Sequence, residues 1–135
     1  MIKNIYIYGL GMMGGSIAKA IRKSNTKIKI FATDINLKSL KYAKREKIIN
    51  DFDSEDYRYL NKSDLIIICV PMLSYQSAID IIQIHRKSDS LITDIGSTKK
   101  EICSQIKKNK LINKFFVGSH PLTGKEKSSI KNASE

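Results

Sequence analysis

Residues 5–16 read IYIYGLGMMGGS, an alternating apolar run that leads directly into three glycines spaced G-x-G-x-x-G. In a βαβ unit the first glycine, Gly9, allows a tight turn from strand to helix, and the second, Gly11, lets backbone approach a pyrophosphate. The third, Gly14, lets helix and strand pack closely. The start of the helix then favours an anion, because its first N–H groups are unpaired and its dipole is positive there. The segment predicts a dinucleotide-binding turn made of Gly9, Leu10, Gly11, Met12, Met13 and Gly14.

A G-x-G-x-x-G pattern alone is weak evidence, and a glycine-rich turn without a ligand is the alternative. The context favours the ligand, because a second strand, predicted over Lys27–Ala32, leads to Asp34, twenty residues after Gly14. That spacing suits a carboxylate that accepts hydrogen bonds from the adenosine ribose and repels a 2′-phosphate. We therefore expect NAD as the cofactor, although lysines such as Lys38 weaken the discrimination against NADP.

Strand and helix patterns alternate along the rest of the chain. Strands are predicted over Asn4–Tyr8, Lys27–Ala32, Leu65–Val70, Leu91–Thr93 and Phe115–Val117, with Ile48-Ile49 as a reduced third strand. Helices are predicted over Met13–Ser24, over a segment from an Asn36 cap to Glu46, and over Ser74–His85 and Thr98–Lys108. This alternation predicts an α/β fold, a Rossmann-type doubly wound parallel sheet in the order 3-2-1-4-5-6, incomplete at its C-terminal end.

Composition excludes several classes of protein. The chain has 135 residues, which is the size of one domain, and no apolar run approaches the length of a membrane span or a secretory signal. Its 24 basic and 13 acidic residues give a net charge of +11, but the lysines are scattered and no nucleic-acid-binding motif accompanies them. A cytoplasmic protein without nucleic-acid or membrane partners is expected.

No metal site is predicted. The two cysteines, Cys69 and Cys103, lack metal-ligand spacing and are expected to be packing residues. An acidic group is interpreted as a solvated loop, because nothing in the sequence fixes its geometry. Its members are Asp51, Asp53, Glu55 and Asp56.

Three predicted strands end at the same edge of the sheet and lead there to candidate ligand-contacting residues. Val70 ends the fourth strand and Pro71 follows it, residues 94–99 follow the fifth, and residues 118–121 follow the sixth. Ligands of doubly wound sheets bind beyond the carboxyl ends of the strands. Val70 and Pro71 are therefore predicted to lie beside the cofactor.

These segments resemble the prephenate and arogenate dehydrogenases of tyrosine biosynthesis. The resemblance rests on GLGMMGGSIA at 9–18, Val70-Pro71, TDIGSTK at 93–99 and FVGSHPLTGKEKS at 116–128. The last two segments are the specific ones. The resemblance implies NAD(P)-dependent oxidation of a cyclohexadienol, prephenate or arogenate, coupled to loss of a carboxylate as CO2.

The resemblance also implies roles for individual residues. His120 matches the family histidine that bonds the ring hydroxyl of the substrate and helps to remove its proton, and Ser97 matches a serine that orients substrate and base. Lys99 matches a lysine that could meet a substrate carboxylate, although a solvated lysine is the alternative. The sequence departs from the family pattern at three positions near His120, which leaves the shape of the substrate pocket open: Thr123, Lys125 and Ser129.

Members of the family are longer than this chain. They continue into a helical domain that forms a homodimer and completes the substrate site. Residues 1–135 are thus expected to be a truncated NAD(P)-binding Rossmann domain with the helical C-terminal dimerisation domain absent, and to have weak NAD binding and little activity. The alternatives are a β-hydroxyacid-type dehydrogenase, whose start is similar, and a non-catalytic nucleotide-binding fragment.

Overall fold

The structure, a computed structural model, describes residues 1–25, 27–95 and 114–118. Six strands are formed by β1 (Asn4–Tyr8), β2 (Lys29–Thr33), β3 (Asp51–Asp53), β4 (Leu65–Ile68), β5 (Leu91–Asp94) and β6 (Phe116–Gly118). Three α-helices are described: α1 (Met12–Ser24), α2 (Leu37–Arg45) and α3 (Tyr75–His85). Two short 3-10 helices, Leu60–Lys62 and Met72–Ser74, precede β4 and α3 respectively.

The six strands form one open parallel sheet in the order β3-β2-β1-β4-β5-β6. This order confirms the predicted Rossmann-type doubly wound architecture. The central strand β1 pairs Tyr8 with Thr33 of β2 on one side and with Ile68 of β4 on the other. The ends of β1, β2 and β4 therefore meet at one side of the sheet, which we call the carboxyl edge.

Both faces of the sheet are covered by helices. Successive side chains of β1 point to opposite faces, so that Tyr6 packs in a buried cluster with Ile79 of α3. Ile7 packs in the other cluster, with Ala18 of α1 and Leu40 of α2. Burial of each large apolar side chain contributes about 1.5–3 kcal/mol, and these two layers of core fix the orientation of the helices on the sheet.

The third strand differs from its prediction. Ile48 and Ile49 do not pair with β2; both of their N–H groups donate to the carbonyl of Ala43, at 2.9 and 3.3 Å, and close the end of α2. Their side chains are buried in the cluster under α1 and α2. The strand lies instead over Asp51–Asp53, paired with β2. The prediction failed because apolar character indicates burial, and here burial is achieved in a turn.

The acidic segment is also only partly the solvated loop that was predicted. Glu55 and Asp56 are exposed, as expected, but Asp51 and Asp53 belong to β3. Asp53 is 1% exposed. The tertiary pairing of β3 with β2 buries this carboxylate, which nothing in its local sequence indicates.

The other helices and strands agree with the predictions to within a few residues. The Asn36 cap of α2 is confirmed, and β4 ends two residues earlier than predicted, at Ile68. His85, the last residue of α3, is half-buried, with its ring centroid 5.4 Å from that of Tyr57. The helix predicted over 98–108 lies outside the described residues.

Within the described ranges, no helix has both the length and the apolar character that crossing a membrane requires.

Candidate functional site

Gly9 forms the turn between β1 and α1. Its φ of +107° is a conformation that L side chains rarely adopt. A Cβ at this position would lie 2.6 Å from the Cys69 carbonyl oxygen and 2.8 Å from Cγ1 of Val70. The Gly9 N–H donates to the carbonyl of Thr33 at 2.9 Å. Glycine is therefore required for both conformation and space, and the turn is held against the ends of both neighbouring strands.

Gly14 lies in the first turn of α1 and is packed still more closely. A Cβ there would lie 2.1 Å from the carbonyl oxygen of Gly9 and 3.1 Å from Cγ2 of Ile7. The first turn of α1 therefore packs directly against the glycine turn that connects it to β1. This contact directs the N-terminus of α1 to the carboxyl edge.

The N-terminus of α1 carries no negative side chain. Gly11 is its N-cap, without a side-chain cap, and no acidic residue stands in the first turn. The side chains of Leu10 and Met12 are buried, and that of Met13 is half-buried. Of the predicted cofactor-binding residues, Leu10 and Met12 therefore have side chains in the core, and only their backbone groups can contact a ligand. A positive helix end with backbone N–H donors suits a phosphate.

Asp34 stands directly after β2, where the sequence predicted a ribose-binding carboxylate. Its Oδ2 accepts a hydrogen bond from the Leu10 N–H at 2.5 Å, and its Oδ1 accepts from the Asn36 N–H at 2.8 Å. An ionised carboxylate offers about four acceptor positions, so each oxygen can accept one more hydrogen bond. The structure thus brings Asp34 to the glycine turn and leaves it able to bind a diol.

Val70 and Pro71 lie at the same edge. Val70 is half-buried against Gly9, and Pro71 is exposed at the start of the 3-10 helix 72–74. Two large apolar side chains are fully exposed nearby, Ile35 after β2 and Leu73 in the helix after β4. Because β2 and β4 flank β1, these side chains lie on either side of the glycine turn, and apolar groups beside a few polar ones are typical of ligand sites.

The sequence did not indicate a buried polar network beside this edge. Tyr6 Oη donates to Asp53 Oδ2 at 2.9 Å, and the Tyr59 N–H donates to the same oxygen at 3.1 Å. The Thr33 hydroxyl donates to the Asp53 carbonyl at 2.9 Å. Burial raises the pKa of the Asp53 carboxyl, and burial together with the Asp53 charge raises the pKa of Tyr6. The network joins β1, β2 and β3 and is structural in character.

A second buried pair lies at the end of β5. Tyr75 Oη, at the start of α3, donates to Asp94 Oδ2 at 3.1 Å, and both residues are 0% exposed. Asp94 begins the segment that leads to Ser97. Burial, with the Asp94 carboxylate as a smaller contribution, raises the pKa of the Cys69 thiol, which makes Cys69 a poor nucleophile.

The three residues to which the family resemblance assigns catalysis or substrate binding, Ser97, Lys99 and His120, lie outside the described residues. The strands that precede them are adjacent, because β5 and β6 pair Asp94 with Gly118. The two segments therefore leave the sheet at neighbouring points of the carboxyl edge. Among the described residues, no group of three or more His, Cys, Asp or Glu side chains is placed to hold a metal ion.

The chain is similar to proteins of known activity along nearly its whole length. Residues 17–135 match the family model described as prephenate dehydrogenase, nucleotide-binding domain. The chain is 32% identical to the prephenate dehydrogenase of Lactococcus lactis subsp. cremoris over 98% of its own length, and 30% identical to that of Bacillus subtilis over 100%. It spans only 37% of the length of each of these relatives.

A solved structure shows the same likeness in three dimensions. The prephenate dehydrogenase of A. aeolicus, in complex with hydroxyphenyl propionate and NAD+, superimposes with a TM-score of 0.88 at 30% identity. The match covers 98% of this chain and 46% of that one.

Proposed function

We propose a function from one premise: the chain belongs to the family of the prephenate dehydrogenase nucleotide-binding domain. Residues 1–135 are the NAD-binding domain of an enzyme that oxidises prephenate and releases its ring carboxylate as CO2, giving 4-hydroxyphenylpyruvate for tyrosine biosynthesis. The same proposal assigns homodimer formation and part of the substrate site to a helical domain outside these residues. It places the enzyme in the cytoplasm, with a small molecule as its substrate and neither nucleic acid nor membrane as a partner.

The observation that carries this proposal is the position of Asp34 against the glycine turn. The Leu10 N–H that bonds Asp34 lies in the turn that brings the positive end of α1 to the carboxyl edge. The N-terminus of α1 would bind the pyrophosphate, and Asp34 would bind the ribose diol. The hydrogen bond from the Leu10 N–H to Asp34 connects these two binding groups.

The chemistry divides into binding and proton transfer. NAD, when bound, supplies a hydride acceptor at the carboxyl edge. His120, as a neutral imidazole, would take the proton of the ring hydroxyl as hydride leaves the same carbon, which forms a ring carbonyl. When the C–C bond to the ring carboxylate breaks, its electron pair would move through the ring to that oxygen, and His120 would return the proton there as CO2 leaves. Ser97 orients the substrate and the base, and Lys99 pairs with a substrate carboxylate. A positioned base of this kind contributes about 10²–10⁴-fold to the rate.

Cofactor preference tests the binding half of the proposal. We expect the chain to bind NAD about tenfold or more tightly than NADP, because the Asp34 carboxylate accepts from the ribose diol and repels a 2′-phosphate. Isothermal titration with both nucleotides measures the preference. Asp34→Ala should weaken NAD binding and abolish the preference, whereas Asp89→Ala, the same change at an exposed residue before β5, should alter neither. Tighter binding of NADP by the unchanged chain would contradict the assignment.

The catalytic half is tested in the enzyme that carries the whole substrate site. His120→Asn should lower the turnover of prephenate by about 10²–10⁴-fold and leave NAD affinity unchanged, because a general base is lost while the glycine turn and Asp34 remain. His85→Asn is the matched control, since His85 is the other of the two histidines and packs on Tyr57. Normal turnover by the His120 variant would remove that residue from the mechanism.

The same turnover assay distinguishes between prephenate and arogenate as the substrate. Parallel measurements with both substrates identify the preferred one. Turnover of arogenate alone would make the enzyme an arogenate dehydrogenase. Turnover of neither, with NAD binding intact, would favour the non-catalytic or β-hydroxyacid-type alternatives.

A further inference from the structure

The connection between β2 and α2 contains a series of hydrogen bonds that ends on the Asp34 carboxylate. Asn36 is the N-cap of α2, and its side-chain oxygen accepts from the N–H groups of Lys38 and Ser39, at 3.0 and 3.3 Å. The backbone N–H of the same residue donates to Asp34 Oδ1 at 2.8 Å. Asn36 thus holds the start of the helix with its side chain and holds Asp34 with its backbone.

The side chains of this connection are largely exposed. The side chain of Ile35 is 106% exposed and that of Leu37 is 45% exposed, and Asn36 is exposed as well. The hydrogen bonds of Asn36 to the first turn of α2 hold the segment: its side-chain oxygen caps the helix, and its backbone carbonyl accepts from the N–H groups of Ser39 and Leu40 at 3.1 and 3.4 Å. The direction of the Asn36 N–H therefore depends in part on the side-chain cap, in which Asn36 has an extended conformation with φ −95° and ψ 98°.

The other oxygen of Asp34 is fixed from the opposite direction, by the Leu10 N–H. Two donors from two different connections determine the plane of a carboxylate, whereas one donor leaves it free to rotate. A bidentate contact with two adjacent hydroxyls requires a fixed plane, because both lone pairs must point at the ligand together.

We propose that Asn36 is a positioning residue for ribose recognition, acting through Asp34 and touching no ligand itself. The inference rests on the proposed NAD-binding function and deepens it. The Asn36 cap of α2 thereby contributes to the selectivity of the site for an unphosphorylated ribose. Removal of the cap should weaken the binding of NAD.

The test is a titration of the 135-residue chain with NAD and NADP. Asn36→Ala should weaken NAD binding about fivefold, the loss expected when one hydrogen bond to Asp34 is weakened, and should lower the ratio of NAD to NADP affinity. Asn36→Ser keeps a capping oxygen and should retain most of the NAD affinity and most of the preference for NAD over NADP. Lys41→Gly, at an exposed position of α2, destabilises the same helix by its low propensity and should leave the affinity unchanged.

A double-mutant cycle separates positioning from a general structural effect. In an Asp34→Ala background, Asn36→Ala should change NAD affinity by less than about twofold, because the group through which it acts is gone. Additive losses, or an Asn36→Ala chain that binds NAD normally, would overturn the inference and leave the proposed function intact. Failure of the unchanged chain to bind NAD would overturn both.

Discussion

Gly14 leaves less room for a Cβ than Gly9 does. Added at this position, a Cβ would meet the carbonyl oxygen of Gly9 at 2.1 Å, a backbone atom that cannot rotate away. Any side chain there must push α1 off its turn. Since the turn and the helix end form the proposed phosphate site, stability and binding should be lost together.

We predict that Gly14→Ala lowers the free energy of unfolding by about 2–3 kcal/mol and abolishes measurable NAD binding, because overpacking forces a backbone shift. Denaturant unfolding and titration measure the two effects. The control is Ala20→Gly, at an exposed position of the same helix, which should cost about 1 kcal/mol in helix propensity and keep NAD affinity. A Gly14→Ala chain with unchanged affinity would show that the close approach is not needed for binding.

At the level of strands and helices, the hydroxyl of Tyr6 is central because it connects β1 to β3 through Asp53. The strand β3 is short and lies at the edge of the described sheet, next to β2 alone. Its attachment therefore depends on side-chain hydrogen bonds more than that of the central strands. Loss of one donor to a buried carboxylate leaves part of its desolvation cost uncompensated.

We predict that Tyr6→Phe lowers the free energy of unfolding by about 1–2 kcal/mol. The comparison is Tyr59→Phe, which removes a 2.6 Å hydrogen bond to the more exposed Asp51 and should cost less, because water can replace the lost donor. Urea unfolding of both variants measures the difference. Equal costs would show that burial of the Tyr6–Asp53 pair contributes nothing beyond the bond itself.

For the domain as a whole, Asp64 joins distant parts of the chain at the edge opposite to the candidate site. Its carboxylate accepts from the backbone N–H groups of Lys3 and Asn4 at 2.8 and 2.9 Å, and forms an ion pair with Lys87. The Lys87 ammonium, with the two N–H donors, lowers the pKa of Asp64 to about 2. The start of β1, the start of β4 and the connection from α3 to β5 therefore meet at one carboxylate.

The lowered pKa predicts how stability depends on pH. A carboxyl that titrates lower in the folded than in the unfolded chain stabilises the fold above its ordinary pKa of about 4, and the contribution is lost as the pH falls through the folded pKa of about 2. We expect Asp64→Asn to cost about 1 kcal/mol at neutral pH, after allowance for partial exposure, and progressively less as the pH falls from about 4 to about 2. Thermal unfolding between pH 2 and 7 measures this, with Asp80→Asn on the exposed side of α3 as control. A penalty independent of pH would rule out the charge as its cause.

Local patterns in the chain were sufficient for the architecture. The glycine spacing placed the turn between β1 and α1, the alternation of strands and helices predicted the order of the sheet, and Asn36 marked the start of α2. Each of these features depends on backbone conformation and apolar periodicity over a few residues, which a single segment expresses by itself. Ser97, Lys99 and His120 remain predictions from the family resemblance.

Contacts between distant segments determined the rest. Asp53 is a buried hydrogen-bond acceptor because Tyr6, 47 residues away, faces it across the sheet, and Asp34 meets Leu10 across 24 residues. Ile48 and Ile49 are buried in a turn because α2 brings them into the core, so that β3 forms from an acidic segment instead. Strand register and the packing of helices on the sheet bring these distant residues into contact. The residues next to a carboxylate in the sequence do not show whether its hydrogen-bond partner is water or a buried hydroxyl.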